Sequence, residues 1–143
     1  MSFDSFDKSS SSNLTYVFFA LIVSFVATLG SLFFSEVMHF IPCSLCWYQR
    51  IFMYSLVLIF LMNLLFPDDK VFKYAILLVL FGWIISIYHN LLMFGIIPEN
   101  LAPCVQGVPC STAYINWLGF ITIPLLSFFA YTTILILLLK IRK

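Results

Sequence analysis

Four long apolar stretches, separated by short polar or proline-containing segments, dominate the sequence. A helix needs about 20 apolar residues to cross the hydrocarbon core of a bilayer, and each stretch is long enough. The stretches cover residues 14–34, 47–66, 71–94 and 117–139. The pattern predicts an all-α integral membrane protein whose single domain, residues 14–143, is a bundle of four transmembrane helices.

The segment before the first stretch, residues 1–13, is polar and rich in serine. This composition predicts a disordered tail. The apolar run that follows exceeds the 7–15 residues of a signal-peptide core, and no small-residue cleavage site follows it, so we interpret it as a retained span. Pro124 interrupts the fourth stretch, which transmembrane helices tolerate.

Composition supports a membrane protein and argues against one class of partner. The chain has 143 residues, of which 63% are hydrophobic and 9% charged, whereas soluble domains carry about 25% charged residues. A net charge of +1 without a clustered basic face is not the footprint of a nucleic-acid-binding protein.

The basic residues are distributed unevenly between the two sides of the predicted bundle. Six of the seven fall on the side that holds both termini: Lys8, Lys70, Lys73, Lys140, Arg142 and Lys143. The positive-inside rule therefore predicts cytoplasmic termini. All four cysteines then lie on the extracytoplasmic side, where disulfides form and persist.

The first cysteine pair lies in the sequence PCSLCWYQR at 42–50. Two thiols in a Cys-x-x-Cys motif exchange electrons readily. Cys46 lies near the positive end of a helix dipole and one turn before Arg50, and both features favour its thiolate. We interpret Cys43 and Cys46 as redox-active; the alternatives are an inert buried pair or half of a zinc site.

Arg50 is a charge inside an apolar span, and such charges usually mark function. The alternative is that its side chain extends to the lipid headgroups. At 1.5 Å per residue, Arg50 lies about 6 Å and His89 about 7 Å from the same membrane face. Arg50, His89 and Asn90 are therefore expected around one pocket that fits a quinone, although His89 alone is weak evidence.

The second pair, Cys104 and Cys110, lies in the last loop, where Pro103, Gly107 and Pro109 predict turns. Alone it would be a static disulfide staple. Beside a redox pair on the same side, it suggests an electron path by successive thiol–disulfide exchange.

These residues resemble the DsbB family of disulfide bond formation proteins, and most closely its short Gram-positive, BdbC-type members. The resemblance rests on PCSLCWYQRIFMY at 42–54, on CVQGVPCSTAYINWLGFITIP at 104–124, and on the four-span layout. It implies an enzyme of the bacterial cytoplasmic membrane, a thiol:quinone oxidoreductase. Such proteins reoxidise a DsbA- or BdbD-type thioredoxin-fold thiol oxidase and pass electrons to menaquinone or ubiquinone.

The resemblance also implies roles for individual residues. Cys104 is attacked by the partner thiolate, Cys110 resolves the mixed disulfide, and Cys43 exchanges with Cys110. Cys46 faces the quinone and Arg50 binds it. The chain departs from Gram-negative relatives in its shorter last loop and in Gln49, where some relatives carry an acid.

Three alternatives to this function remain. An enzyme of the vitamin K epoxide reductase type also has two cysteine pairs, but its loop pair precedes the Cys-x-x-Cys span. A non-catalytic tetraspan scaffold would hold both pairs as structural disulfides. A zinc site with four cysteine ligands is disfavoured in an oxidising compartment, and no metal is predicted.

Overall fold

The computed structural model describes residues 3–68, 70–101, 104, 109–110 and 122–142. Within these ranges the chain forms helices and no strand. The four helices are α1 (Phe3–Glu36), α2 (Ser44–Leu65), α3 (Val71–Met93) and α4 (Ile123–Arg142), and a 3-10 turn covers Glu99–Leu101. Each helix contains a segment long and apolar enough to cross a membrane, which confirms the predicted fold class.

The helices form a closed four-helix arrangement. Helix α1 packs against α2 and α4, and α3 packs against the same two helices. The short connections from α1 to α2 and from α2 to α3 make these neighbours antiparallel. Ser86 and Asn90, near the end of α3, bond the Pro124 carbonyl at the start of α4. The C-terminal ends of α1 and α3 therefore meet the N-terminal ends of α2 and α4, and the cysteine-bearing segments adjoin this end, called here the cysteine end.

Many large apolar side chains lie on the outside of the bundle, and several polar ones lie inside it. Leu58, Leu65 and Tyr74 are more than 60% exposed. Among the described residues, seven polar side chains are buried: Ser24, Gln49, Asn63, Ser86, His89, Asn90 and Thr122. Lipid rather than water is the solvent that suits such a surface, so the protein is a multi-pass membrane protein.

The half of the bundle remote from the cysteine end is packed almost entirely with apolar side chains. Its buried cluster contains Val17, Ala20, Met53, Leu56, Phe60, Ala75, Val79, Tyr131, Ile134 and Leu138. Tyr131 lies over Gly82, where an added Cβ would fall 2.3 Å from the tyrosine ring. Glycine at this position is therefore what lets the buried ring approach α3.

Two helix starts differ from the sequence prediction. Helix α1 begins at Phe3 instead of following a disordered tail, because adding residues to an existing helix is far easier than nucleating one. The membrane-crossing part of α1 is Asn13–Glu36. Helix α2 begins at Ser44, because Cys43 has the extended backbone of an N-cap and its carbonyl accepts from the Trp47 amide at 3.1 Å.

The start of α4 corrects the interpretation of Pro124. The helix begins at Ile123, so Pro124 lies in its first turn, where a missing amide proton costs nothing. It starts the helix and does not interrupt it. The predicted residues 117–121 of this span lie outside the described residues.

Candidate active site

Cys43 and Cys46 lie together at the start of α2. Their Sγ atoms are 3.2 Å apart and both are free thiols. Cys43 is buried just before the helix, whereas Cys46 is half-buried one turn inside it. A disulfide bond of about 2.05 Å forms here after a movement of about 1 Å, so this geometry suits a pair that opens and closes.

The second cysteine pair adjoins the first. Cys104 and Cys110 form a disulfide whose Cα atoms are 5.9 Å apart. Cys43 and Cys110 belong to one buried cluster, and Cys46 and Cys104 pack against it. The structure thus brings together all four cysteines that the sequence analysis selected.

His89 lies between the two pairs. Its side chain is 1% exposed. Its Nε2 lies 3.8 Å from the Cys43 Sγ and 3.2 Å from the Cys110 carbonyl oxygen. From sequence alone His89 was only a weak candidate, but in the structure it contacts both cysteine pairs.

A hydrogen-bonded chain, called here the Ser127–Gln49–His89 relay, orients this histidine. The Ser127 hydroxyl donates to the Gln49 Oε1 at 2.9 Å, and the Gln49 Nε2 lies 3.4 Å from the His89 Nδ1. With its amide oxygen held by Ser127, Gln49 presents its amide protons to Nδ1. A neutral imidazole that accepts at Nδ1 carries its proton on Nε2, which here faces Cys110 and Cys43.

The surroundings of Cys43 favour its thiolate. The Cys46 thiol at 3.2 Å contributes most to lowering the pKa of Cys43 below its ordinary range, and His89 contributes in the same direction, while burial opposes them. The sequence analysis assigned thiolate stabilisation to Cys46 alone. The structure supports it for Cys43 instead, which stands outside the membrane-spanning segment.

Arg50 lies nearly two turns into α2 because the helix starts earlier than predicted. Its Nη2 donates to the Ser31 carbonyl of α1 at 2.7 Å. Its guanidinium carbon is 5.6 Å from the centroid of the Trp47 ring, within cation–π range. These contacts direct the charge toward α1 and not out to the lipid headgroups.

A cavity of about 500 Å³ opens among these groups. Cys43, Cys46, Arg50, His89 and Cys110 all line it. The rest of the wall is mainly apolar, with side chains from α1, α2 and α4. The predicted grouping of Arg50 with His89 around one pocket is therefore present.

Thr28 and Thr122 place hydroxyl groups on the cavity wall, whereas Asn90 does not line it. The Oγ1 atoms of Thr28 and Thr122 are buried and have no hydrogen-bond partner among the described residues. They suit a polar ligand. Asn90, which we expected at the pocket, lies outside its lining and donates to the carbonyls of Ser86 and Pro124 at 2.8 and 3.0 Å.

The structure changes which residues could together bind a metal ion. Because Cys104 is bonded to Cys110, the four-cysteine zinc set does not form. Cys43, Cys46 and His89 instead make a three-residue set whose ligand atoms all lie within 4.8 Å of one another.

Sequence reasoning missed the contribution of Gln49, Ser127 and Tyr131. Gln49 is 7% exposed, and its backbone carbonyl accepts from the Tyr131 hydroxyl at 2.7 Å. A polar side chain within an apolar span is itself a signal of function, and Gln49 and Ser127 both carry it.

Comparison with known proteins gives concordant results. The family model "Disulfide bond formation protein DsbB" matches residues 13–141. "Disulfide bond formation protein C" of Bacillus subtilis is 47% identical over 86% of this chain and 89% of its own length. "Probable disulfide formation protein C" of Halalkalibacterium halodurans is 44% identical over 80% and 84%, respectively. No solved structure gives a significant match.

Proposed function

The chain belongs to the DsbB family of disulfide bond formation proteins, and we propose that it is a thiol:quinone oxidoreductase. In this proposal it reoxidises a DsbA- or BdbD-type thioredoxin-fold thiol oxidase and passes the electrons to a membrane quinone, menaquinone or ubiquinone. Membership of the family establishes the coarser statement, that this is a disulfide-forming oxidoreductase of the membrane.

One observation carries the proposal. A single cavity is lined by both cysteines of the first pair, by Cys110 of the second pair and by the cation Arg50. A chain with merely structural disulfides has no need for two unbonded thiols 3.2 Å apart on the wall of such a cavity. This observation disfavours the scaffold alternative.

The first step takes place at the loop pair. A thiolate of the partner attacks the Cys104 Sγ, the Cys104–Cys110 bond breaks, and Cys110 leaves as a thiolate. The second thiol of the partner then displaces Cys104. The partner gains a disulfide, and Cys104 and Cys110 gain two electrons and two protons.

The second step moves these electrons inward. The Cys110 thiolate attacks the Cys43 Sγ of an oxidised Cys43–Cys46 pair, and Cys46 leaves. Cys104 then attacks Cys110, which re-forms the loop disulfide and releases Cys43. The products are a bonded Cys104–Cys110 pair and two free thiols, which is the arrangement of the structure.

His89 assists this exchange by its position. Its Nε2 faces both the Cys110 carbonyl and the Cys43 Sγ, so it holds the reacting segments together. A proton on Nε2 also stabilises negative charge on Cys43 as that sulfur leaves Cys110. The Ser127–Gln49–His89 relay keeps the proton on this nitrogen.

The cavity fits a quinone by the chemistry of its lining. Arg50 and the hydroxyls of Thr28 and Thr122 offer donors suited to a ring carbonyl, and the apolar wall suits an isoprenoid tail. When bound, a quinone supplies an acceptor for two electrons and two protons. Cys46 is the thiol that delivers the electrons, and Arg50 lines the same cavity.

The proposed orientation places the cysteine end outside the cell. Lys70, Lys73 and Lys140 belong to the opposite end of the bundle, as expected for the cytoplasmic face under the positive-inside rule. The vitamin K epoxide reductase alternative gains no support, since its loop pair comes before the Cys-x-x-Cys span.

Trapping a partner protein in a mixed disulfide tests whether electrons enter at Cys104. We expect Cys110→Ser, prepared with its Cys43–Cys46 pair oxidised, to retain a stable mixed disulfide between Cys104 and a thioredoxin-fold partner that keeps one active-site cysteine. The Cys43–Cys46 disulfide takes up the two electrons, and a non-reducing gel is the readout. Cys104→Ser is the matched control and should form none. Equal trapping by the two variants would show that electrons do not enter at Cys104.

A further inference from the structure

The side chains of Cys43, Cys46 and His89 form a compact set of soft ligands, and we propose that they are a zinc site available only when the first cysteine pair is reduced. Their ligand atoms lie within 4.8 Å of one another. Two cysteines and one histidine are a ligand set that zinc takes with its fourth position open. The inference stands apart from the proposed electron path, because it concerns metal binding.

Two of the three separations between ligand atoms are close to those around a tetrahedral ion. The two Sγ atoms are 3.2 Å apart, and the His89 Nε2 is 3.8 Å from the Cys43 Sγ. Zinc–sulfur bonds of about 2.3 Å and zinc–nitrogen bonds of about 2.1 Å place neighbouring ligands roughly 3.5–3.8 Å apart. The sulfurs therefore need to separate by about half an ångström, and the adjoining cavity gives room for the fourth ligand.

Charge balance favours zinc at this place. Binding converts two thiols into thiolates and releases two protons. Two thiolates and a neutral imidazole around Zn²⁺ give a site with no net charge, which a mainly apolar cavity accommodates far better than a free ion. Zinc binding transfers no electrons, so a chelator can reverse it.

The Ser127–Gln49–His89 relay supplies the second partner that a metal-bound histidine needs. Coordination through Nε2 replaces its contact with the Cys110 carbonyl and moves the ring proton to Nδ1. Metal-bound histidines donate this proton to a carbonyl or carboxylate. Turning the Gln49 amide presents Oε1 to Nδ1, and the Ser127 hydroxyl bonds either end of the amide, since it both donates and accepts.

Zinc binding and disulfide formation exclude each other at this pair. An oxidised Cys43–Cys46 pair has no thiolates to offer, and a zinc-bound pair has no free thiolate for exchange. The site therefore lets Zn²⁺ hold the reduced protein in an arrested state.

Metal titration of the purified chain in detergent tests the proposal. We use Cys104→Ser,Cys110→Ser as the background, so that only the first pair is reducible, and titrate Co²⁺ and then competing Zn²⁺ under anaerobic conditions. The reduced chain should bind one ion, with the sulfur-to-cobalt absorption of a tetrahedral site. Oxidation by diamide should abolish binding, and this comparison of two redox states needs no further mutation.

Variants of the ligand His89 and of its hydrogen-bond partner Gln49 sharpen the test. Loss of a group that hydrogen-bonds a metal ligand typically weakens binding by roughly 10- to 100-fold. His89→Ala should weaken Zn²⁺ binding by more than this, and Gln49→Leu by about this amount. Gln49→Glu, which only accepts, should retain or strengthen binding. Equal affinity in the oxidised chain or in His89→Ala, or no stoichiometric binding by the reduced chain, would overturn the proposal.

Discussion

The two halves of the bundle use the same four helices but have opposite interiors. The half remote from the cysteines buries Leu56, Phe60, Val79, Ile134 and Leu138 at 0–1% exposure. The cysteine end instead buries Gln49, Ser86, His89, Asn90 and Thr122 and encloses a cavity. Polar groups inside a membrane protein are costly and are retained where they act, so this contrast supports the cysteine end as the place of the proposed chemistry.

Among the described residues, two buried polar side chains do not follow this contrast between the halves. Ser24 and Asn63 are buried away from the cavity wall. The Ser24 hydroxyl donates to the Leu21 carbonyl at 3.0 Å, and the Asn63 amide to the Asp68 carbonyl at 3.2 Å. Each bonds to nearby backbone. At the cysteine end, by contrast, four polar side chains bond to a neighbouring helix: Gln49, Ser86, His89 and Asn90.

Removing the terminal thiol should have the largest effect. We expect Cys46→Ser to reduce quinone reduction at least about 1000-fold, as loss of a reacting nucleophile does, with the helical content of the protein unchanged. Initial rates with a reduced thiol-oxidase partner measure this. If Cys46→Ser turned over at a rate near wild type, the chemistry would not lie at this end of the bundle.

Truncating the packed half should change stability and leave chemistry intact. Phe60→Ala should lower the free energy of unfolding by about 3 kcal/mol, measured by denaturation in detergent. Turnover per folded molecule should stay within about twofold of wild type, because Phe60 does not touch the cavity. A drop in turnover as large as that of Cys46→Ser would show that the two halves are not separable.

Arg50→Ala should reduce quinone turnover by about 10- to 100-fold, because a positioned cationic donor at the cavity is lost. Arg50→Lys is the matched control and should recover part of the rate, since it keeps the charge but not the planar fork. Partner oxidation in a single turnover at the loop pair should be unaffected. An equal loss of that first exchange in Arg50→Ala would place Arg50 in partner binding instead.

Gly82→Ala tests the packing where the two halves join. The added methyl group collides with the Tyr131 ring, and such overpacking costs about 1–3 kcal/mol. The displaced ring should also weaken its hydrogen bond to the Gln49 carbonyl. Gly30→Ala, with nothing within 4 Å of its added Cβ, is the control; equal destabilisation by both would refute the stated cause.

The smallest effect concerns the acidity of Cys43. Loss of His89 removes one of the groups that lower the pKa of Cys43, so the folded pKa rises and less thiolate is present at a given pH. The pH profile of Cys43 alkylation in His89→Ala should therefore shift to higher pH. Ser127→Ala should shift it in the same direction by less, with a rate change of about 2- to 10-fold; a shift to lower pH would contradict the relay.

The sequence alone predicted the helices to within a few residues where an apolar run is bounded by polar or proline residues, as for α3. It missed the start of α2 because a span boundary is drawn from hydropathy, whereas the helix begins where Cys43 takes an extended backbone. Cys-x-x-Cys spacing and the loop pair were sufficient to select all four cysteines.

The Ser127–Gln49–His89 relay could not be predicted from the sequence, for a geometric reason. Ser127 and Gln49 are 78 residues apart and meet only through the register of α2 against α4. A buried histidine between two cysteine pairs likewise depends on how α3 ends against the loop. Asn90 was expected at the cavity because of its depth in α3. Its side chain instead bonds the Pro124 carbonyl and does not line the cavity.

Anaerobic mixing of this protein with a reduced DsbA-type partner and a soluble quinone tests the central claim most directly, with the quinone absorbance as readout. The account predicts catalytic loss of one quinone for each partner disulfide formed, and loss of that signal in Cys46→Ser. Partner oxidation without quinone consumption, or equal quinone consumption by Cys46→Ser, would contradict it.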